Sequence, residues 1–219
     1  MGKYKVIDGN EACAHISYMF TEIAGIYPIT PASPMSEYID KWSTEGRLNL
    51  FNNRVKLIEM QSEAGAIALV HGSLQTGSLA STYTASQGLL LMIPSMYKIA
   101  GEMLPCVINV ASRTVTTHAL SIFGDHSDIY ASRSTGFCFL ASSSVEDTIY
   151  MTLASYLSTL KGKLPFVNFF DGFRTSHELN KVYVPDMSEI KGLVPFKTID
   201  NFRKESMISK KQIKGTTQN

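Results

Sequence analysis

The sequence has few cysteines and almost no excess charge. Cys13, Cys106 and Cys138 lie far apart, and no C-x-x-C pair is present to hold zinc or an iron–sulfur cluster. A formal net charge of +1 over 219 residues gives no electrostatic basis for binding nucleic acid or an anionic membrane, since both require clustered basic residues. We therefore predict neither partner, and the separate cysteines indicate a reducing compartment.

Long apolar runs are also missing. Gly, Ser, Thr or a charged residue interrupts each hydrophobic stretch before it reaches the length of a membrane span. The amino-terminal residues lack the apolar core of a secretory signal. These absences predict a protein of the cytoplasm or of the lumen of a reducing organelle. A hydrophobic content of 44% with 18% charged residues is typical of a globular chain with a large core.

Several common active-site motifs are absent. Residues 72–77 resemble a phosphate-binding loop, but Ser78 stands where the lysine would be required. No G-x-G-x-x-G opens a helix, and no G-x-S-x-G frames a nucleophilic serine. The stretch G-D-H-S-D at residues 124–128 offers metal-ligating side chains, but such residues so close together are more common in loops and helix caps. We predict no metal ligands in this chain.

What the sequence does contain is an alternation of helical and extended patterns. Helical patterns cover residues 10–24, the stretch after Ser33, the stretch after Glu63, residues 87–101 with an interruption at Pro94, and residues 145–160. Apolar extended runs cover residues 26–31, 55–58, 78–84, 106–110, 137–140 and 166–170. Continuous apolar strands between helices predict an α/β fold with a doubly wound, mostly parallel sheet and helices on both faces.

Polar residues follow several of these strands directly. Thr30, Glu63, the T-A-S-Q-G turn at residues 84–88, Arg113 and Asp171 each come just after a predicted strand. Because ligands bind outside the carboxyl ends of parallel strands, we expect these residues to share one edge of the sheet. After residue 185 the pattern thins, with one short helix near residues 199–207.

Glu63 and Arg113 each allow two interpretations. A first-turn acid such as Glu63 is favoured by the helix dipole alone, but the small residues that follow it leave room for a flat ligand beside the carboxylate. A guanidinium beside a buried strand needs an anionic partner. For Arg113 that partner is either a bound carboxylate, held bidentately, or an internal acid. The candidates for the internal acid are Asp125, Asp128 and Glu102.

Five segments carry a resemblance to a known family. They are Y-P-I-T-P-A-S-P-M from Tyr27, E-M-Q-S-E-A-G-A from Glu59, T-A-S-Q-G-L-L-L-M-I-P from Thr84, A-L-S-I-F-G-D-H-S-D-I-Y from Ala119 and F-F-D-G-F-R-T-S-H-E from Phe169. The chain resembles the amino-terminal, pyrimidine-binding domain of pyruvate:ferredoxin (flavodoxin) oxidoreductase. The matching segments run in one order over nearly the whole chain.

The resemblance implies that residues 1–185 form the pyrimidine-binding domain of a thiamine diphosphate-dependent enzyme, and that residues 186–219 are a connecting arm toward a next domain. In that family pyruvate and coenzyme A are converted to acetyl-CoA and carbon dioxide, while electrons pass to ferredoxin or flavodoxin. Carried over the matching motifs, Glu63 hydrogen-bonds the aminopyrimidine ring of the cofactor. Thr30 and Arg113 are implied to bind pyruvate, Arg113 through the substrate carboxylate.

The chain departs from the family in size, because the family's members are several times longer. The parts that hold the cofactor's diphosphate with magnesium, the iron–sulfur clusters and coenzyme A are expected elsewhere, in further domains or subunits of an enzyme that is a homodimer when complete. We therefore expect a fragment or one half of a split enzyme, inactive alone. Two alternatives stay open: a related ferredoxin oxidoreductase for another 2-oxoacid, and a non-catalytic binding or assembly module that keeps the fold.

Overall fold

A parallel sheet of six strands forms the centre of the molecule in the computed structural model, which describes residues 2–208 and 211. In chain order the strands are β1 Lys3–Ile7, β2 Ile23–Ile26, β3 Lys56–Glu59, β4 Ala80–Thr84, β5 Val107–Ser112, β6 Cys138–Ser142, β7 Phe166–Asp171 and β8 Asn180–Val184. Strands β2 to β7 make the central sheet in the order β3-β2-β4-β5-β7-β6, and every neighbouring pair is parallel.

Helices cover both faces of this sheet. They are α1 Gly9–Phe20, α2 Ser33–Thr44, α3 Glu63–Gln75, α4 Ser86–Gly101, α5 Ser127–Ser132, α6 Val145–Gly162, α7 Arg174–His177, α8 Met187–Lys191 and α9 Phe196–Ser206. The connection from β2 to β3 runs in the opposite direction to that from β3 to β4, so right-handed crossovers put α2 and α3 on opposite faces. Helix α1 packs against α2 and α6, and α3 packs against α4. The predicted doubly wound α/β fold is confirmed.

The central strands are buried on both faces, which explains their sequence pattern. Every residue of β4 and of β5 is buried, whereas the edge strands β3 and β6 are partly exposed. Strands covered by helices on both sides have no solvent face, and therefore read as continuous runs rather than alternating ones. No helix among residues 2–208 and 211 has the length and apolarity that crossing a membrane requires.

Two predicted element boundaries are wrong. Helix α1 ends at Phe20, not near residue 25, and residues 23–26 form β2, so the strand predicted at 26–31 is largely the turn that follows it. The apolar residues of the short strand β2 happen to fall at positions that continue the helical spacing of α1. The spacing alone therefore placed the end of the helix too late. The predicted interruption at Pro94 is also wrong, because α4 runs continuously past it. An interior proline loses one intrahelical hydrogen bond and crowds the preceding turn, and α4 accommodates both without ending.

The first and the eighth strand were not predicted. They pair in antiparallel fashion, with Lys3 opposite Val184 and Ile7 opposite Asn180. After β8 come α8, which buries Ile190 in the main core cluster, and α9, which buries Ile199 and Phe202 there. A helix near residues 199–207 is thereby confirmed, while the division of the chain at residue 185 stays a prediction. The stretch K-G-T-T-Q-N, read as the start of a linker, lies outside the described residues.

Candidate functional site

The candidate site lies at the carboxyl-terminal edge of the parallel sheet, where β2 and β4 are neighbours. The connection after β2 leads to β3 on one side, and the connection after β4 leads to β5 on the other. Connections that diverge in this way open a crevice between them, and α/β proteins bind their ligands at such switch points. The residues after β2, β4 and β5 and the start of α3 meet at this crevice.

Glu63 begins α3 with a buried carboxylate that the protein leaves unpaired. Ser62 caps the helix, its hydroxyl accepting a hydrogen bond from the backbone N–H of Gly65 at 3.2 Å. Glu63 is only 7% exposed, yet its side chain forms no hydrogen bond and no ion pair with any residue in 2–208 or 211. Buried polar groups normally have partners, so a helix dipole alone is a poor account of this acid.

Gly88, in the first turn of α4, lets Glu63 approach the neighbouring helix. A Cβ atom added at Gly88 would lie 2.4 Å from Thr84 Oγ1 and 2.9 Å from both Cγ and Oε1 of Glu63. The hydroxyl of Thr84 is itself buried without a hydrogen-bond partner in the described part of the chain. A carboxylate and a hydroxyl with unused hydrogen-bonding capacity therefore meet beside Gly88, where there is no room for a side chain.

The turn between β4 and α4 is held in an unusual backbone conformation. Ser86 has φ of 47°, a region that residues other than glycine rarely adopt. Its hydroxyl lies 2.7 Å from the carbonyl oxygen of Thr114 and 2.5 Å from Oε1 of Gln87. Conformations of this kind persist where the surroundings enforce them, and they concentrate at functional sites.

Arg113, one residue beyond β5, points its guanidinium across the crevice. Nη1 donates to the carbonyl oxygen of Thr30 at 2.7 Å, and Nη2 lies 3.4 Å from Oε1 of Gln87, a long contact. Nε is buried and has no partner in residues 2–208 or 211. Burial lowers the pKa of Arg113, and the charges of Asp128 and then Glu63 act in the opposite direction.

The proposed internal salt bridge of Arg113 is not formed in this part of the chain. Ion pairs here join His71 with Glu102, Lys163 with Glu205 and Arg203 with Glu22, and the guanidinium of Arg113 enters none of them. Arg113 is 7% exposed, and its guanidinium bonds only to neutral oxygens. It therefore keeps N–H donors available for an anion.

Thr30 lies at the same crevice, in the turn that follows β2 and not at the end of the strand. Strand β2 stops at Ile26, and the Thr30–Pro31 peptide bond is cis. The Thr30 carbonyl accepts from Arg113, and the Pro31 carbonyl accepts from Asn10 Nδ2 at 3.0 Å. Thr30 itself is exposed, which leaves its hydroxyl open to a ligand. The placement of Thr30 directly at a strand end was wrong, although the shared edge is observed.

The acidic stretch at residues 124–128 forms a structural loop. Asp125 accepts from the backbone N–H of Ser127 at 2.6 Å and from its hydroxyl at 2.5 Å, and these bonds lower the pKa of Asp125. No group of three or more metal-ligating side chains is assembled within residues 2–208 and 211. Asp171 lies farther along the edge, against Gly124. Gly88, Ser86 and Gln87 were part of a quoted motif, but their roles were not predicted.

The fold and site define a class: a parallel α/β domain that presents an unpaired acid and a guanidinium at its switch point. A 2-oxoglutarate:ferredoxin oxidoreductase from Magnetococcus marinus, solved with 2-oxoglutarate, coenzyme A and succinyl-CoA bound, shares this fold with a TM-score of 0.73. The match covers 85% of this chain and 32% of that chain at 21% sequence identity, so it concerns the fold alone.

The sequence itself identifies the family. The protein-family model described as "Pyruvate flavodoxin/ferredoxin oxidoreductase, thiamine diP-bdg" matches residues 16–219. The chain therefore belongs to this family. It is 55% identical to pyruvate:ferredoxin oxidoreductase from Moorella thermoacetica over 93% of this chain, and 52% identical to pyruvate-flavodoxin oxidoreductase from Klebsiella pneumoniae over 100% of it. These matches confirm the predicted resemblance. The chain spans only 17% and 19%, respectively, of those relatives' lengths.

Proposed function

We propose that this chain is the pyrimidine-binding part of a thiamine diphosphate-dependent 2-oxoacid oxidoreductase. The complete enzyme would convert pyruvate and coenzyme A to acetyl-CoA and carbon dioxide, and pass electrons to ferredoxin or flavodoxin. Support comes from the family and from the names of relatives near 50% identity. The single observation that carries the proposal is the buried carboxylate of Glu63, which the described protein leaves without a partner.

The residues around Glu63 fit an aminopyrimidine ring. Glu63 and Thr84 Oγ1 offer unused hydrogen-bonding atoms, and Gly88 keeps the space between them free of a side chain. When bound, thiamine diphosphate supplies the carbanion and electron-sink chemistry of 2-oxoacid cleavage. Glu63 would share a proton with a ring nitrogen of the pyrimidine, giving it to the nitrogen and taking it back. A carboxylate shielded from water makes a stronger hydrogen bond there than an exposed one would.

Arg113 and Thr30 would bind the substrate. The planar guanidinium matches a carboxylate group in geometry and charge, and only a carbonyl and a distant amide oxygen engage it here. Nη1 donates to the Thr30 carbonyl oxygen at 2.7 Å, which fixes the guanidinium next to the Thr30 backbone. Thr30 is exposed and its carbonyl oxygen holds the guanidinium, so its hydroxyl would hydrogen-bond a 2-oxoacid bound there.

The rest of the machinery belongs to the parts that relatives have and this chain does not span. Since the relatives are about five times longer, we assign to those parts the magnesium and diphosphate site, the iron–sulfur clusters, coenzyme A binding and the contacts of a homodimer. Residues 186–219 would lead toward them as a connecting arm. The free cysteines Cys13, Cys106 and Cys138 support a reducing compartment, either the cytoplasm or an organelle lumen.

The electron acceptor and the preferred 2-oxoacid have competing candidates. A pyruvate dehydrogenase [NADP(+)] from Cryptosporidium parvum is 49% identical over 94% of this chain, so an acceptor other than ferredoxin or flavodoxin is a second candidate. Another 2-oxoacid in place of pyruvate, or a non-catalytic assembly module that keeps the fold, are further alternatives. A panel of 2-oxoacids and acceptors, assayed on the native protein, separates them.

The test of the cofactor contact is Glu63→Gln in the native protein, isolated with all the chains that accompany it. We expect coenzyme A-dependent pyruvate oxidation to fall ~10²- to 10⁴-fold, because the amide can neither give a proton to the pyrimidine ring nitrogen nor take it back. The matched control is Glu146→Gln, an exposed acid in the first turn of α6, which should retain full activity. Normal turnover by Glu63→Gln would refute the assignment.

A further inference from the structure

Asp128 is a fully buried acid that the proposed chemistry does not use. It lies in the first turn of α5 and is 0% exposed. Burial raises the pKa of Asp128, although the hydrogen bonds that it accepts favour the ionised carboxylate. Leaving a charge in such a position is costly unless all of its hydrogen-bonding capacity is used. The structure meets that condition with donors from three segments of the chain.

The two oxygens of Asp128 divide these donors between them. Oδ1 accepts from the hydroxyl of Ser112 at 2.7 Å and from the backbone N–H of Ile129 at 2.8 Å. Oδ2 accepts from the backbone N–H of Ser86 at 2.8 Å and from that of Arg113 at 3.1 Å. One carboxylate oxygen therefore joins the turn after β4 to the end of β5.

These two backbone positions carry the side chains that meet in the crevice. Arg113 has its own guanidinium there, and Gln87, which follows Ser86, contacts that guanidinium at 3.4 Å. Ser86 has φ of 47°, a conformation that persists where the surroundings hold it, and the acceptor of its N–H is Asp128 Oδ2. A shift of either backbone would change the position of the guanidinium relative to Thr30.

We propose that Asp128 is a positioning residue for substrate binding, which clamps the Ser86 turn to the backbone of Arg113 and so fixes the guanidinium at the crevice. This inference rests on the proposed function, in which Arg113 binds the substrate carboxylate. It assigns to Asp128 neither contact with the substrate nor a metal.

The geometry explains why an acid beside Arg113 does not block it. A carboxylate paired directly with the guanidinium would occupy the donors that a substrate carboxylate needs. Asp128 instead binds the N–H of Arg113, and its charge acts on the guanidinium only through space. The acid thus stabilises the local backbone and the cationic form of the arginine, while the Nη atoms stay directed toward Thr30 and the crevice.

The experiment compares Michaelis constants in the native protein with its accompanying chains. Asp128→Ala should raise KM for pyruvate ~10- to 100-fold, as expected for a displacement of the binding group by about 1 Å, and leave KM for coenzyme A unchanged. Asp128→Asn should raise KM for pyruvate only several-fold, because the amide oxygen can still accept from the N–H groups of Ser86 and Arg113. Asp147→Ala is the control, since this acid accepts a hydrogen bond from the N–H of Ser143 after the edge strand β6, three strands from β4; it should change neither constant.

Two further variants separate this inference from the proposed function. Arg113→Lys alone should raise KM for pyruvate sharply, and should add little in the Asp128→Ala background because the two residues act as a unit. An unchanged KM in Arg113→Lys refutes the role of Arg113. An effect of Arg113→Lys together with a silent Asp128→Ala refutes only the positioning role.

A purely structural role for Asp128 predicts another pattern. Activity would then fall in proportion to the folded protein that remains, with both Michaelis constants unchanged, and this result would overturn the inference. Should Asp128→Ala fail to fold, Asp128→Asn decides alone: a several-fold rise in KM for pyruvate supports the clamp, and an unchanged value overturns it.

Discussion

Glu63 and Asp128 are both buried acids in the first turn of a helix, and the protein treats them in opposite ways. Asp128 accepts hydrogen bonds from Ser86, Ser112, Arg113 and Ile129. Glu63 accepts none from the described part of the chain.

The difference separates a structural charge from a functional one. An acid whose hydrogen bonds are all made by the protein holds that protein in place, whereas one left open at a crevice is available to a ligand. Burial alone does not distinguish the two acids, because they are 7% and 0% exposed. Their hydrogen-bond partners do, so variants that alter the surroundings of Glu63 should differ from matched variants at other sites.

Among changes that leave Glu63 itself in place, the largest effect is expected for Gly88→Ala. The new methyl group would lie 2.4 Å from Thr84 Oγ1 and 2.9 Å from the Glu63 side chain, so it must displace the carboxylate from its place in the crevice. We expect pyruvate oxidation by the native protein to fall ~100-fold, as for other displacements of about 1 Å at a reacting group. The assay is the initial rate at saturating pyruvate and coenzyme A.

The control for Gly88→Ala lies in the same helix. Gly101 ends α4, and a Cβ atom added there meets nothing within 4 Å. Gly101→Ala should therefore keep full activity. If both variants are equally active, Glu63 does not need the space beside it, and the contrast between the two acids loses its functional meaning.

A smaller effect is expected for Ser62→Ala, which removes the cap of α3 while leaving Glu63 itself unchanged. The hydroxyl accepts from the N–H of Gly65, and its loss should cost ~1 kcal/mol in the free energy of unfolding. Because Glu63 is the next residue, we also expect weaker binding of thiamine diphosphate. Urea unfolding and calorimetry measure the two quantities.

Ser144→Ala supplies the comparison for that cap. Ser144 caps α6 by accepting from the N–H of Asp147 at 3.1 Å, after the edge strand β6, which lies three strands from β4. Its loss should cost a similar free energy of unfolding and leave cofactor binding intact. Equal weakening of cofactor binding in both cap variants would show that the effect comes from general stability rather than from the position of Glu63.

The sequence predicted the parallel sheet and the shared edge because both depend on local patterns. Continuous apolar strands between helices have few alternatives to a doubly wound fold, and the residues after parallel strands must meet at one edge. The pairing of β1 with β8 was missed, since it joins residues nearly 180 positions apart and Tyr4 and Val6 on β1 are largely exposed. No short-range signal marks such a pair.

The contacts of the site residues could not be predicted from the sequence, for a different reason. Asp128 was named as a possible salt-bridge partner of Arg113, but whether a carboxylate meets a guanidinium or a backbone N–H depends on distances of a few ångströms. The same holds for Gly88, whose closeness to Glu63 results from the packing of α3 against α4. Motifs identify which residues matter, while the packing decides what each one contacts.

The most direct test of the account is thermal unfolding of the native protein and of Glu63→Gln, each with and without thiamine diphosphate and magnesium. Without cofactor, the variant should unfold at the same temperature as the parent or slightly above it, because no partner of Glu63 is lost. With cofactor, the parent should gain stability and the variant should gain little. An equal gain in both proteins, or a variant that unfolds well below the parent without cofactor, would contradict the claim that Glu63 serves the ligand rather than the fold.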